Sequence, residues 1–125
     1  MKTDAIEIFQ TVRAAMQPYE ILGFNSRINS DKEYDLWSEK NTVVNGEQKT
    51  ETHFAGIKVF KDHVNLYFMP VNRDEEIAAV FHPDLLMLLK DKTHFTIKAL
   101  DEVLMAQIAD ALDRGYKIFK QNEWV

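Results

Sequence analysis

The chain has 125 residues, of which 46% are hydrophobic and 28% charged, a balance typical of one globular domain spanning residues 1–125. Its net charge is -5 with a pI of about 5.3, and no local cluster of Lys or Arg is present, so we expect no nucleic-acid partner. The absence of cysteine excludes disulfides, zinc-thiolate sites and thiol chemistry. The first ten residues mix acidic and apolar side chains, so we expect a cytoplasmic protein with no membrane partner.

The first predicted element is a helix that begins after Asp4. Asp4 and Glu7 have the spacing of a capping box, in which side chains bond the free backbone groups of the first turn. Pro18 cannot continue a helix interior, so the helix is expected to end before it. Apolar side chains recur at helical intervals, at Ile8 or Phe9, Val12 and Met16.

Three β-rich runs follow and predict an antiparallel meander. The first covers residues 34–44 and ends at Asn45-Gly46, the dipeptide that best tolerates the backbone angles of a tight hairpin turn. The second reaches Phe60, and the third covers residues 64–71. The polar residues 61–63 between them predict the second turn.

The second half of the chain predicts helices on either side of one further strand. Residues 74–89 favour a helix that His82-Pro83 breaks into two short pieces, and residues 93–99 are strand-like. Asp101 is a good N-cap for a closing helix, in which Gly115 is a weak point because glycine is a poor helix former. The apolar stripe of this helix consists of Leu104, Ile108, Leu112 and Phe119.

This order of elements indicates an α+β fold. An antiparallel sheet of about four or more strands would carry the helices packed on one face and leave the other face open to water or to a partner. Eight Phe, four Tyr and two Trp exceed what one helix-covered face needs, so some aromatic side chains should lie on the open face.

Strand alternation predicts which side chains could form a ligand-binding surface on that open face. The assignment requires regular strands, because a shift of one residue exchanges the two faces. Lys58 is either a surface lysine with its stem on apolar surface or an anion-binding group in an aromatic patch. The candidate ligand-binding residues are Trp37, Phe54, Lys58, Phe60, Tyr67 and Met69.

No pattern typical of an enzyme is present. The chain lacks a glycine-rich phosphate loop, a His-x-x-x-His pair and a nucleophile beside a base. The acids of the last helix are explained by i,i+4 pairs of Asp110 with Arg114 and of Asp113 with Lys117. The four histidines lack metal-ligand spacing and are His53, His63, His82 and His94. We therefore predict no catalytic residues and no metal site.

A family resemblance rests on HFAGIKVFKDHVNLYFMP at residues 53–70 and LLMLLKDKTHFTIKALDEVLMAQIADAL at residues 85–112. With the Phe54-Ala55 strand opening, Lys58 four residues after the Phe and the leucine-rich segment before the last strand, the chain resembles the YdhG-like bacterial family of unknown function. The similarity extends from residue 34 to the C-terminus and includes WSEKN from Trp37 and the terminal EWV. It implies a frataxin-like helix-sheet-helix fold and a candidate role as an iron chaperone.

Two functional hypotheses follow from the sequence. The first is a non-enzymatic binding protein that takes an unknown small ligand or protein on its open sheet face. Iron is a cofactor only through the family resemblance, and we expect its binding to be weak because the first helix offers only Asp4 and Glu7. The alternative is a structural or interaction module whose open face forms a homodimer interface that buries Trp37.

Overall fold

The fold combines an antiparallel sheet with helices, as the sequence predicted. The computed structural model describes residues 2–44, 46–68, 82–90 and 94–125. Its elements are α1 (Ala5–Met16), a 3-10 helix (Gln17–Leu22), β1 (Glu33–Ser38), β2 (Thr42–Val44), β3 (Glu47–Lys49), β4 (Thr52–Val59), β5 (Val64–Phe68), α2 (Pro83–Leu86), β6 (Leu89–Lys90), β7 (His94–Ile97) and α3 (Glu102–Gln121). The α+β class is confirmed.

The first helix begins at the predicted cap. Asp4 Oδ1 accepts hydrogen bonds from the backbone N–H groups of Ile6 at 2.9 Å and Glu7 at 3.4 Å. The chain continues from α1 into the 3-10 helix, and Pro18 lies in the first turn of that helix, where its missing N–H needs no partner. The side chains that α1 buries are Ile8, Phe9, Val12 and Met16, as the periodicity predicted.

Within the described residues, five strands form the main sheet in the order β1-β4-β5-β7-β6, and all neighbouring pairs are antiparallel. The predicted strand over residues 34–44 consists of two strands, because β2 pairs with β3 in a separate two-stranded sheet. Gly46 follows β2 with a φ of +83°, as a tight turn requires, whereas Asn45 lies outside the described residues. Residues 61–63 connect β4 and β5, as predicted.

The predicted helix over residues 74–89 is wrong at its end. Leu89 belongs to the edge strand β6, where it pairs with Phe95 of β7. Residues 69–81 and 91–93 lie outside the described residues, and with them the end of the third strand, the first piece of the broken helix and the start of the predicted strand 93–99. The closing helix begins as predicted, since Asp101 Oδ1 accepts a hydrogen bond from the N–H of Leu104 at 2.7 Å.

A β-bulge in β4 decides which side chains lie on which face. Leu36 is opposite Ala55, but the next residue of β1, Trp37, is opposite His53, so Phe54 is an extra residue in β4. Phe54 is fully buried in the core, and His53 lies opposite Trp37 on the other face. The prediction that Phe54 lies on the open face is wrong, because regular alternation fails at this bulge.

The core side of the bulge is an aromatic cluster. The ring of Phe54 stacks on that of Phe24 with centroids 4.3 Å apart, and it meets the rings of Phe119 and Phe68 edge-on at 5.1 Å and 5.3 Å. Phe119 belongs to α3 and Phe68 to β5, so the cluster joins the sheet to the long helix. Both α1 and α3 pack on this face of the sheet.

Gly115 has a packing role that the sequence did not indicate. A Cβ atom at this buried position of α3 would lie 2.3 Å from Cζ and 3.0 Å from Cε1 of Phe68. Glycine therefore allows the ring of Phe68 to touch the helix backbone. Glycine lowers the intrinsic helix propensity of α3, and the close packing against Phe68 offsets this cost.

We expect Gly115→Ala to lower the free energy of unfolding by about 1–3 kcal/mol, because the added methyl overlaps the ring of Phe68. At an exposed helix position the same exchange raises stability by roughly 1 kcal/mol. Urea unfolding measures the change, and Ala109→Gly on the exposed side of α3 gives the propensity effect alone. The double variant Gly115→Ala/Phe68→Leu should recover part of the lost stability, because leucine lacks the ring atoms that the added methyl overlaps. A Gly115→Ala protein that is more stable than the original would contradict the close contact.

Candidate functional site

The sheet face opposite α1 and α3 carries a cleft of about 490 Å³, which we call the open-face cleft. Cross-strand register places its side chains in three rows. Glu33 is opposite Lys58, Asp35 is opposite Gly56, and Trp37 is opposite His53. Tyr67 extends the second row, because β5 places it opposite Gly56. The cleft is therefore charged at one end and aromatic at the other.

Trp37 forms the aromatic end of the cleft and is held on several sides. The guanidinium carbon of Arg27 lies 4.4 Å from the centroid of the indole ring, within the range of a cation-π contact. The ring of His53 lies 5.0 Å away, and the indole Nε1 donates a hydrogen bond to Asp35 Oδ2 at 2.9 Å. Arg27 itself pairs with Glu51, and this bond lowers the pKa of the Glu51 carboxyl. The indole is thus fixed before any ligand arrives.

Asp35 connects β1 to the loop beside it. Asp35 is 8% exposed, and its Oδ1 accepts hydrogen bonds from the backbone N–H groups of Arg27 at 2.8 Å and Ile28 at 2.9 Å. With the indole N–H of Trp37, three donors surround the buried charge. Burial of a carboxylate is tolerated when donors of this kind replace water, so Asp35 serves to position the loop and Trp37.

The ring of His53 contacts Trp37 on one side and lies close to Gly56 on the other. Burial lowers the pKa of its imidazole because the charged form loses water, while Asp35 and the Ala55 backbone act in the opposite direction. A Cβ atom on Gly56 would lie 3.2 Å from His53 Nε2, so the glycine makes room for the ring. At neutral pH the neutral imidazole of His53 and the indole of Trp37 together form the aromatic wall of the cleft.

The opposite end of the cleft is polar. Lys58 is exposed, and its ammonium nitrogen lies 5.6 Å from the centroid of the Phe60 ring. Phe60 stacks in turn on His63, with centroids 4.9 Å apart. The hydroxyl of Tyr67 accepts a hydrogen bond from Asn65 Nδ2 at 3.2 Å. Lys58 and Tyr67 are diagonal neighbours across β4 and β5 and both line the cleft.

Three of the six predicted site residues, Trp37, Lys58 and Tyr67, line this cleft. Phe60 lies just past β4 and contacts Lys58 at the rim, whereas Phe54 is in the core and Met69 is outside the described residues. The cleft residues missing from the prediction are Ile28, Glu33, Tyr34, Asp35, His53, Gly56, Ile57 and Phe68. Asp35 and Trp37 share one side of a strand in the sequence pattern, and this was the available signal. The β-bulge places His53 beside them, and no signal in the sequence indicates this bulge.

The charged side chains of α3 have the structural roles that their spacing predicted. Arg114 Nε lies 2.9 Å from Asp110, and Lys117 Nζ lies 3.0 Å from Asp113. Asp110 also contacts Nε2 of His82 at 2.8 Å, and this bond, together with Arg114, lowers the pKa of its carboxyl. His82 precedes α2 as the predicted helix boundary, so the contact ties α2 to α3. Within the described ranges, no group of three His, Asp or Glu side chains could hold a metal ion.

No protein-family model, curated protein or solved structure matches this chain. Among the described helices, none has both the length and the apolar character needed to span a membrane. The function therefore has to be inferred from the residues of the open-face cleft.

The burial of His53 predicts a dependence of stability on pH. The unfolded imidazole protonates near its usual pKa of 6.5, whereas the folded one resists protonation until a lower pH. The unfolded state therefore gains protons first on acidification, and stability should fall as the pH drops from about 7.5 to about 5.5. Urea midpoints across this range measure the slope.

His53→Gln is the matched variant, since it removes this imidazole and leaves the other three histidines in place. Its stability should fall less than that of the original protein over the same pH range. Equal slopes for the two proteins would contradict a buried neutral His53.

Proposed function

We propose that this chain is a YdhG-like, non-enzymatic binding domain that takes a small ligand in its open-face cleft. The observation that carries the proposal is the concave site of about 490 Å³ on the face away from the long helices, with an aromatic wall and a few polar groups. Small-molecule sites commonly have this combination, because apolar walls supply affinity and few polar groups fix orientation.

The rigidity of the aromatic wall supports a binding role. Trp37 is held by the Arg27 guanidinium, by His53 and by a hydrogen bond to Asp35. Side chains that are already ordered lose little conformational entropy when a ligand binds, so more of the contact free energy contributes to affinity. A fixed indole is a suitable surface for a ring or another flat apolar group.

The titratable groups of the cleft favour binding over catalysis. The carboxylate of Asp35 already accepts three hydrogen bonds, and burial keeps His53 neutral. Among the described residues that line the cleft, no Ser, Thr or Cys stands beside these groups as a nucleophile. The proposal assigns no place to iron in the cleft, since no described set of three ligands surrounds it.

The alternative is that the open face binds a second copy of the chain. Ile28, which lines the cleft, is 41% exposed, and Phe60 beside Lys58 is 37% exposed. Exposed apolar side chains beside an aromatic surface are typical of protein interfaces as well as of ligand sites. A twofold axis over the cleft would bury both of these residues.

Two measurements test the proposal. Light scattering on the purified protein should give the monomer mass of 14.6 kDa, because the face is kept for a ligand. A fragment screen followed by amide chemical shifts should find compounds that shift Trp37, His53 and Tyr67 without shifting residues of α1. Lys58→Ala should weaken binding of the anionic hits, while Lys98→Ala, an exposed lysine outside the cleft, should not.

A mass near twice 14.6 kDa that returns to the monomer value in Lys58→Glu, but not in Lys98→Glu, would support the dimer instead. Chemical shifts confined to other surfaces would also contradict the binding role of the cleft.

A further inference from the structure

Two opposite charges face each other at the polar end of the open-face cleft. Glu33 and Lys58 are opposite one another across β1 and β4, and both line the cleft. Neither forms an ion pair with another residue in the described part of the chain. The Lys58 ammonium lies near the ring of Phe60.

Both charges are available to a ligand at small cost. Even a transient contact between half-buried Glu33 and exposed Lys58 would be worth only about 1 kcal/mol, which a ligand can replace. A ligand with a single charge would satisfy one of these groups and leave the other facing it without a partner. A ligand with both an ammonium and a carboxylate group satisfies the two together.

The ring of Tyr67 belongs to the row next to this pair. The row that contains Gly56 and Tyr67 is two residues further along the strands, or roughly 7 Å from the row of Glu33 and Lys58. In an aromatic α-amino acid, the α-carbon carries the ammonium and carboxylate groups, and one methylene joins it to the ring. The whole molecule, from its charged groups to the far edge of its ring, bridges a span of this size. His53, which leans over Gly56, supplies a second aromatic surface for the ring.

We propose that the open-face cleft binds a free aromatic α-amino acid as its zwitterion. The ammonium group pairs with Glu33, the carboxylate pairs with Lys58, and the ring lies between Tyr67 and His53. This inference rests on the proposed binding function and specifies the class of ligand.

Three compounds with one ring and different charges test it. L-Phenylalanine carries both groups, 3-phenylpropionate lacks the ammonium, and 2-phenylethylamine lacks the carboxylate. Titrations followed by the indole N–H signal of Trp37 and the amide of Tyr67 give the dissociation constants. We expect L-phenylalanine to bind about tenfold or more tightly than either analogue, because each charged contact is worth about one power of ten or more.

Charge-removing variants assign each contact. Glu33→Gln should weaken the binding of L-phenylalanine by about tenfold without weakening the binding of 3-phenylpropionate. Lys58→Gln should weaken the binding of L-phenylalanine and leave the binding of 2-phenylethylamine unchanged. The controls are Glu7→Gln and Lys98→Gln, exposed residues outside the cleft, and neither should change any affinity. Amide spectra of each variant confirm that it is folded.

Equal binding of L-phenylalanine and either analogue, or no binding of any of the three, would overturn the zwitterion inference. If other compounds of the fragment screen still shift the cleft residues, the binding function stands without this ligand class. If none does and the protein is a dimer through this face, both proposals are wrong.

Discussion

The packing of Phe54 is the interaction on which both faces of the sheet depend. Its ring enters the core as an extra residue of β4, stacks on Phe24 and contacts Phe119 of α3. Burying a phenylalanine side chain contributes roughly 1.5–3 kcal/mol, and the surrounding rings add contacts with preferred geometry. The bulge that admits this ring changes the direction of every residue before it in β4.

The candidate site is the other consequence of the same bulge. With Phe54 turned inward, His53 lies opposite Trp37, and the two rings form the aromatic end of the cleft. Asp35 then fixes the indole and the loop at Arg27, so that the wall is built from hydrogen-bonded and stacked groups. Core packing and the shape of the site are thus coupled through one strand position.

The sequence predicted what local interactions determine. Asp4 and Asp101 cap their helices because a capping bond involves neighbouring residues only, and the apolar periodicity located α1 and α3 for the same reason. The position of Phe54 could not be predicted this way, since its partners Phe24 and Phe119 come from distant parts of the chain. Strand alternation also supplied Trp37, Lys58 and Tyr67, but not the loop that Asp35 anchors, because irregular segments have no period to read.

Nuclear Overhauser contacts between side-chain protons test the bulge most directly. The account predicts contacts of the His53 imidazole with the Trp37 indole, and of the Phe54 ring with that of Phe24. Contacts of the Phe54 ring with Trp37, and none with Phe24, would show that β4 alternates regularly and that the cleft as described does not exist.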